Sequence, residues 1–132
     1  YGNRDISSGV DNFWLGGSMQ ITPRQQLELL RRLHQSELPV SAKTRTRVLG
    51  MFHQTTVGDK AVGFKTGLNL TDSNLFTGWY VGHVVAGGDT HVFVSLIHGP
   101  CPGGADAIQS AITLRRQFCW AMLRRYLEVE MP

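Results

Sequence analysis

Apolar and charged residues first recur at helical spacing after Thr22. One side of this predicted helix is apolar and the other is charged: Leu27, Leu30 and Leu33 against Arg24, Glu28, Arg31 and Arg32. Thr22 can cap the start, Pro23 suits the first turn, and Gln25 stands where a capping box places a glutamine. The pattern therefore predicts a helix from Thr22-Pro23, and Leu38-Pro39 ends this unit.

Two further helices are expected. Ser41 is the predicted cap of a short second helix that turns Val48 and Phe52 inward. The last helix is predicted from about Asp106, taken as its cap, to about Glu128. Its predicted buried stripe contains Ile108, Ala111, Ile112, Phe118, Cys119 and Met122.

Three strands are predicted between these helices, at roughly 60–66, 78–86 and 90–98. Gly87-Gly88-Asp89 joins the second to the third as a hairpin. Both alternating sets of residues in these two strands are apolar, so both faces of the sheet need a cover. The prediction is a single α+β domain over residues 1–132, a short antiparallel sheet flanked by helices.

The composition of the chain argues against nucleic-acid-binding and membrane-spanning classes of protein. The chain has 132 residues, 42% hydrophobic and 17% charged, which is typical of a globular domain. A net charge of +3 is too small to favour nucleic acid as a partner, and solvated helix faces explain the arginine pairs. No apolar run approaches the roughly 18 residues of a membrane-spanning helix.

Cysteine and histidine spacing indicates neither a metal nor another cofactor. Cys101 and Cys119 leave two alternatives, one internal disulfide or two buried free thiols. They do not form a C-x-x-C motif, and the histidines at 34, 53, 83, 91 and 98 have no ligand spacing.

The chemistry is concentrated at Lys65-Thr66-Gly67, which follows the apolar run 61–64. A cation, a hydroxyl and a glycine at a strand end can bind and polarise an acyl substrate, although a solvated strand end explains the tripeptide when it is taken alone. Two motifs stand upstream, Tyr1-Gly2-Asn3 and Trp14-Leu15-Gly16-Gly17.

In this order the three motifs resemble those of the class D β-lactamases and their penicillin-sensing relatives: Y-G-N, W-x-x-G and K-T-G. Gly78-Trp79-Tyr80-Val81-Gly82 and Val92-Phe93-Val94 are similar to the family's next two strands. The resemblance implies the C-terminal portion of the β-lactamase/transpeptidase-like fold, a β-lactam ligand, hydrolysis through an acyl-enzyme, and a periplasmic or secreted location.

The resemblance also implies roles. The Lys65 ammonium would lie near the nucleophile and the substrate carboxylate, and Thr66 would donate a hydrogen bond to that carboxylate. Gly67 would border the substrate, and the Leu68 backbone N–H would be the second donor of the oxyanion hole. Trp14 would donate its indole N–H to a carbamylated lysine.

Two more expectations concern the borders of the site. Tyr1-Gly2-Asn3 would border it, although a chain end frays unless it is tied down. Gln109 stands where many family members carry an arginine that binds the substrate carboxylate, and Arg115 and Arg116 are expected to face solvent.

One family motif is absent. The nucleophile of the family lies in S-x-x-K, and no serine of this chain has a lysine three residues later. We therefore expect the C-terminal half of such a protein, as a processed, split or truncated product, with the missing N-terminal half or a second, swapped copy as partner. The hypotheses are part of a class D enzyme, part of a penicillin-sensing domain, and a non-catalytic remnant.

Overall fold

Three helices and a four-stranded antiparallel sheet make up the part of the chain that the structure describes. The computed structural model describes residues 2–11, 13–14, 17–70 and 75–131. In chain order the elements are α1 (Pro23–His34), α2 (Ala42–Leu49), β1 (His53–Val57), β2 (Lys60–Leu70), β3 (Leu75–Ala86), β4 (Asp89–Pro100) and α3 (Gly104–Leu127). The predicted α+β class is confirmed.

The sheet is built from successive antiparallel neighbours, in the order β1-β2-β3-β4. Val57 pairs with Lys60 and Ala86 with Asp89, so each of these hairpins has a two-residue loop. Both loops contain glycine with positive φ, for example 61° at Gly58, which a two-residue hairpin favours. Strand β1 was not predicted, because its sequence HQTTV is largely polar and exposed.

Helices cover both faces of the sheet, as the apolar pattern required. Helix α1 packs against β4, and α3 packs against β3 and β4. Directly opposed residues share a face, so Val62 and Val84 lie on the face that α3 covers, together with Tyr80. The core cluster comprises Val62, Tyr80, Val84, Cys119, Trp120, Leu123 and Val129.

The starts of the first two helices agree with their predicted caps. The Thr22 hydroxyl accepts a hydrogen bond from Gln25 N, and the Gln25 side chain returns one to the Thr22 backbone. Ser41 caps α2 through Thr44 N, although Phe52 lies beyond the end of that helix.

The third helix differs from its prediction in its start and in part of its buried stripe, whereas Cys119 is buried as predicted. Gly103 is its N-cap, without a side-chain bond, so Asp106 is not the cap. Phe118 is 49% exposed and Met122 39%, whereas the buried residues are Arg115, Cys119, Trp120 and Leu123. Apolar residues occur on several sides of α3, and periodicity therefore could not show which side faces the sheet.

Cys101 and Cys119 are both free and buried. This is the second of the two alternatives that the sequence left open. Burial raises the pKa of the Cys119 thiol to about 12, so this thiol is a packing residue and not a reactive one.

Candidate functional site

A cleft of about 560 Å³ lies between the loop that precedes α1 and the ends of β2, β3 and β4. Its walls are formed by Trp14, Gly17, Met19, Gln20, Ile21, Gly67, Leu68, Asn69, Thr77, Trp79, Leu96 and His98. The cleft therefore brings two of the predicted motif regions together, around Trp14 and around Gly67.

Asn3 holds the loop wall in place. Its Nδ2 donates to Ser18 O at 3.0 Å, and its Oδ1 accepts from Gln20 N and Asp5 N, each at 3.1 Å. Gly2 has φ 66°, and a Cβ there would lie 2.8 Å from Met19 Cε. The first residues are thus tied to the segment that lines the cleft. Tyr1 lies outside the described residues.

Trp14 is not a core residue. Its side chain is 59% exposed, and its ring meets the Phe13 ring edge-on at 4.8 Å between centroids. It stands at the mouth of the cleft as an accessible aromatic surface. Leu15 and Gly16, the middle of the predicted W-x-x-G motif, lie outside the described residues.

Lys65 and Thr66 lie beside the cleft and do not line it. Alternation along β2 places Lys65 and Gly67 on the face of Val81 and Trp79, and Thr66 on the opposite face with Tyr80. Lys65 is exposed, and its Nζ donates to the Thr66 carbonyl at 3.2 Å. Among the described residues no carboxylate pairs with it.

The Leu68 backbone N–H points toward an open sheet edge. The Val57–Lys60 pair closes a two-residue hairpin and is hydrogen-bonded, so even-numbered residues of β2 face β1 and odd-numbered ones face β3. Pairing with β1 ends at Phe64. The N–H groups of Thr66 and Leu68 therefore face a side that no described strand occupies, and Leu68 lines the cleft.

Arg115 is buried, which corrects the expectation that it faces solvent. Its exposed fraction is 6%, and its Nη1 donates to the Gly67 carbonyl at 2.7 Å. Burial lowers the pKa of the guanidinium. Arg115, Cys119 and Leu123 recur every four residues and all three are buried, but an arginine at such a spacing does not by itself predict burial.

The other two helix residues differ from Arg115. Arg116 is exposed, as expected. Gln109 is also exposed and lies with Asp106 and Thr113 along an outer groove of α3, so it does not line the cleft.

Two cleft residues were missed. Thr77 Oγ1 and His98 Nδ1 form a hydrogen bond at 2.9 Å, and both line the cleft. They are direct cross-strand partners on β3 and β4. The two-residue Gly87-Gly88 hairpin sets this register, so the sequence contained a signal for the pair.

In the described ranges no three histidine, cysteine or acidic side chains gather as metal ligands. Nor does any described helix combine the length and apolarity needed to cross a bilayer.

The sheet and its covering helices match the C-terminal half of class D β-lactamases. The solved class D β-lactamase of Bacillus subtilis matches 96% of this chain and 48% of its own, with a TM-score of 0.75 and 32% identity. The resemblance predicted from the motifs is confirmed. No protein-family model matches the chain.

Two curated relatives are similar to the chain. The probable β-lactamase YbxI of Bacillus subtilis (strain 168) is 39% identical over 95 residues, 72% of this chain and 35% of YbxI. The regulatory protein BlaR1 of Bacillus licheniformis is 28% identical over 115 residues, 86% of this chain and 19% of BlaR1. The chain spans less than half the length of these relatives.

Proposed function

We propose that the chain is the C-terminal half of a β-lactam hydrolase of class D type. It supplies one wall of an acyl-transfer site, built on Lys65-Thr66-Gly67 as its K-T-G motif. The observation that carries the proposal is the Leu68 N–H at the open edge of β2, beside a cleft that Trp14 borders. The class D resemblance supports the same assignment.

In the proposed mechanism a serine oxygen attacks the lactam carbonyl, the C–N bond of the ring breaks, and water later releases the acyl group. That serine and the lysine that serves as its base belong to an S-x-x-K segment outside this chain. Leu68 N–H would stabilise the developing oxyanion, a contribution of about 3 kcal/mol for one such donor.

The side chains beside the cleft would hold the substrate carboxylate. The Lys65 ammonium is exposed, and within the described ranges it is bound to a backbone carbonyl and to no carboxylate, so it can turn to an anion without breaking an ion pair there. Thr66, whose side chain lies on the opposite face of β2 at the same open edge, would add a hydroxyl donor to that carboxylate. Trp14 would donate its indole N–H to the carbamylated lysine of the other half. The protein would act in the periplasm or outside the cell.

The pure 132-residue chain should hydrolyse no β-lactam, because it contains neither the nucleophile nor the base. The assay is turnover of a chromogenic cephalosporin by the isolated chain. Turnover that Lys65→Ala abolishes would contradict the assignment of the nucleophile to another segment.

Reconstitution tests the positive half of the proposal. The chain is co-expressed with the part of YbxI that precedes the matched region, and benzylpenicillin adducts are measured by intact mass. We expect an adduct on the added half, formed more slowly with Lys65→Ala and at an unchanged rate with Lys60→Ala, a lysine of the same strand. Equal rates for both variants would contradict the role of Lys65.

The missing half, or a second copy of the chain, is the proposed partner. Beyond Phe64 no described strand pairs with one side of β2, and an apolar groove that includes Phe93, Met122 and Tyr126 runs beside β4 and α3. Open strand edges and apolar grooves favour association. Light scattering should find a dimer or a complex, and a monodisperse, stable monomer would contradict this expectation.

A penicillin-sensing domain is the second candidate, and the similarity to BlaR1 favours it. A sensor would be acylated by the same chemistry but would release the acyl group slowly. The deacylation rate of the reconstituted adduct separates the two candidates. A non-catalytic remnant would form no penicilloyl adduct under any pairing.

A further inference from the structure

Arg115 is a buried charge without a carboxylate partner among the described residues. It is 6% exposed, and its Nε has no hydrogen-bond acceptor within that part of the chain. Within the described ranges its side chain donates from Nη1 to Gly67 O. Burying a guanidinium without a carboxylate partner costs free energy of folding. We therefore expect this arginine to have a function that offsets the cost.

The sheet makes room for this side chain at Gly78. A Cβ on Gly78 would lie 2.9 Å from Arg115 Cδ and 2.5 Å from Phe76 Cε1. Gly78 opposes Leu68 in the β2–β3 register. The arginine side chain therefore lies against Gly78, the cross-strand partner of Leu68, and ends on the carbonyl of Gly67.

The Gly67 carbonyl and the Leu68 N–H belong to one peptide group. In a trans peptide these two bonds point in opposite directions. The Gly67 carbonyl faces β3 and the Leu68 N–H faces the open edge of β2. The arginine therefore binds the end of this peptide group that is opposite to the exposed N–H. Anything that fixes or polarises the carbonyl acts directly on the N–H.

We propose that Arg115 is a positioning residue that orients and polarises the Gly67–Leu68 peptide for oxyanion binding. The proposal rests on the proposed function, in which Leu68 N–H is the oxyanion donor. A charge-assisted bond to a carbonyl draws electron density from the amide nitrogen, and linked hydrogen bonds strengthen one another by about 10–30%. The bond also holds the peptide plane where no described strand pairs with the outer side of β2.

Nuclear magnetic resonance of the labelled 132-residue chain tests the contact without any catalysis. In Arg115→Met, the Gly67 carbonyl carbon and the Leu68 amide nitrogen should both move upfield, because the charged donor is lost. The exposed neighbour Arg116→Met should leave both signals in place. No movement in Arg115→Met, or movement no larger than elsewhere in β2, would overturn the proposal.

Arg115→Lys covers the case in which the methionine variant does not fold. Lysine keeps the cation but lacks the planar fork, so the same two nuclei should move in the same direction by a smaller amount. Unchanged signals of Gly67 and Leu68 in Arg115→Lys would also overturn the proposal.

Acylation kinetics of the reconstituted protein test the catalytic consequence. Arg115→Met should slow acylation by benzylpenicillin about tenfold, with the Kd of the non-covalent complex changed less than about twofold. Normal acylation in this variant removes the role of Arg115 and leaves the proposed function intact. If the wild-type assembly is not acylated although the resonances shift as expected, the proposed function is wrong. The catalytic role of Arg115, which rests on that function, then fails with it.

Discussion

Lowering the pH from 7 to 5 should destabilise the protein through His83. This residue is 8% exposed and lies between α1 and the sheet, where its ring is 4.5 Å from that of His34 and 5.6 Å from that of Phe52. Its Nδ1 has no partner among the described residues. The pKa of His83 is lowered from 6.5 to about 4, mainly by burial and to a smaller extent by the charge of His34.

The sign follows from proton uptake. Between pH 6.5 and about 4 the unfolded chain binds the proton and the folded chain does not, so stability falls as the pH falls through that window. At about 1.4 kcal/mol per pKa unit, the loss is about 2 kcal/mol by pH 5 and about 3 kcal/mol below pH 4. Burial also lowers the pKa of His34, which adds to the loss in the same direction.

Urea unfolding at pH 7, 6 and 5 measures this effect above the range in which carboxylates titrate. The wild-type free energy of unfolding should fall as the pH falls, and His83→Leu should remove most of that slope. His91→Asn, at an exposed strand position, should keep it. A flat wild-type profile, or an equal slope in His83→Leu, would refute the reasoning.

Two further predictions concern packing and capping. Gly82→Ala should destabilise the fold by about 3 kcal/mol or more, because its Cβ would lie 2.1 Å from the Gly63 carbonyl oxygen. The control Gly99→Ala meets no atom within 4 Å and should have little steric cost. Equal urea midpoints for the two variants would contradict this prediction. Thr22→Ala removes one side of the capping box with Gln25 and should cost about 1 kcal/mol, seen as a lower urea midpoint with an unchanged slope.

Much of the fold could be predicted because it follows from short-range chemistry. The Thr22 cap, the Ser41 cap and the Gly87-Gly88 hairpin each depend on residues within a few positions of one another. Strand β1 could not be predicted in this way, because its polar sequence is held by pairing with β2 and not by burial.

The candidate site was predicted in part. Lys65-Thr66-Gly67 is predicted on a strand and lies on β2, and the order of the three motifs indicates the class D resemblance that the solved structure confirms. The pairing of Thr77 with His98 follows from the register that the two-residue Gly87-Gly88 loop sets, and the periodicity of apolar residues alone does not specify that register.

Local residue patterns were thus enough for the fold class, two helix starts, one hairpin and the motif that indicates acyl-transfer chemistry. Which side of α3 meets the sheet was decided by packing between distant segments. That packing buried Arg115 against the Gly67 carbonyl and left Phe118 exposed. The physical reason is that caps and turns depend on neighbours in sequence, whereas burial of a helix face depends on the shape of the surface that it covers.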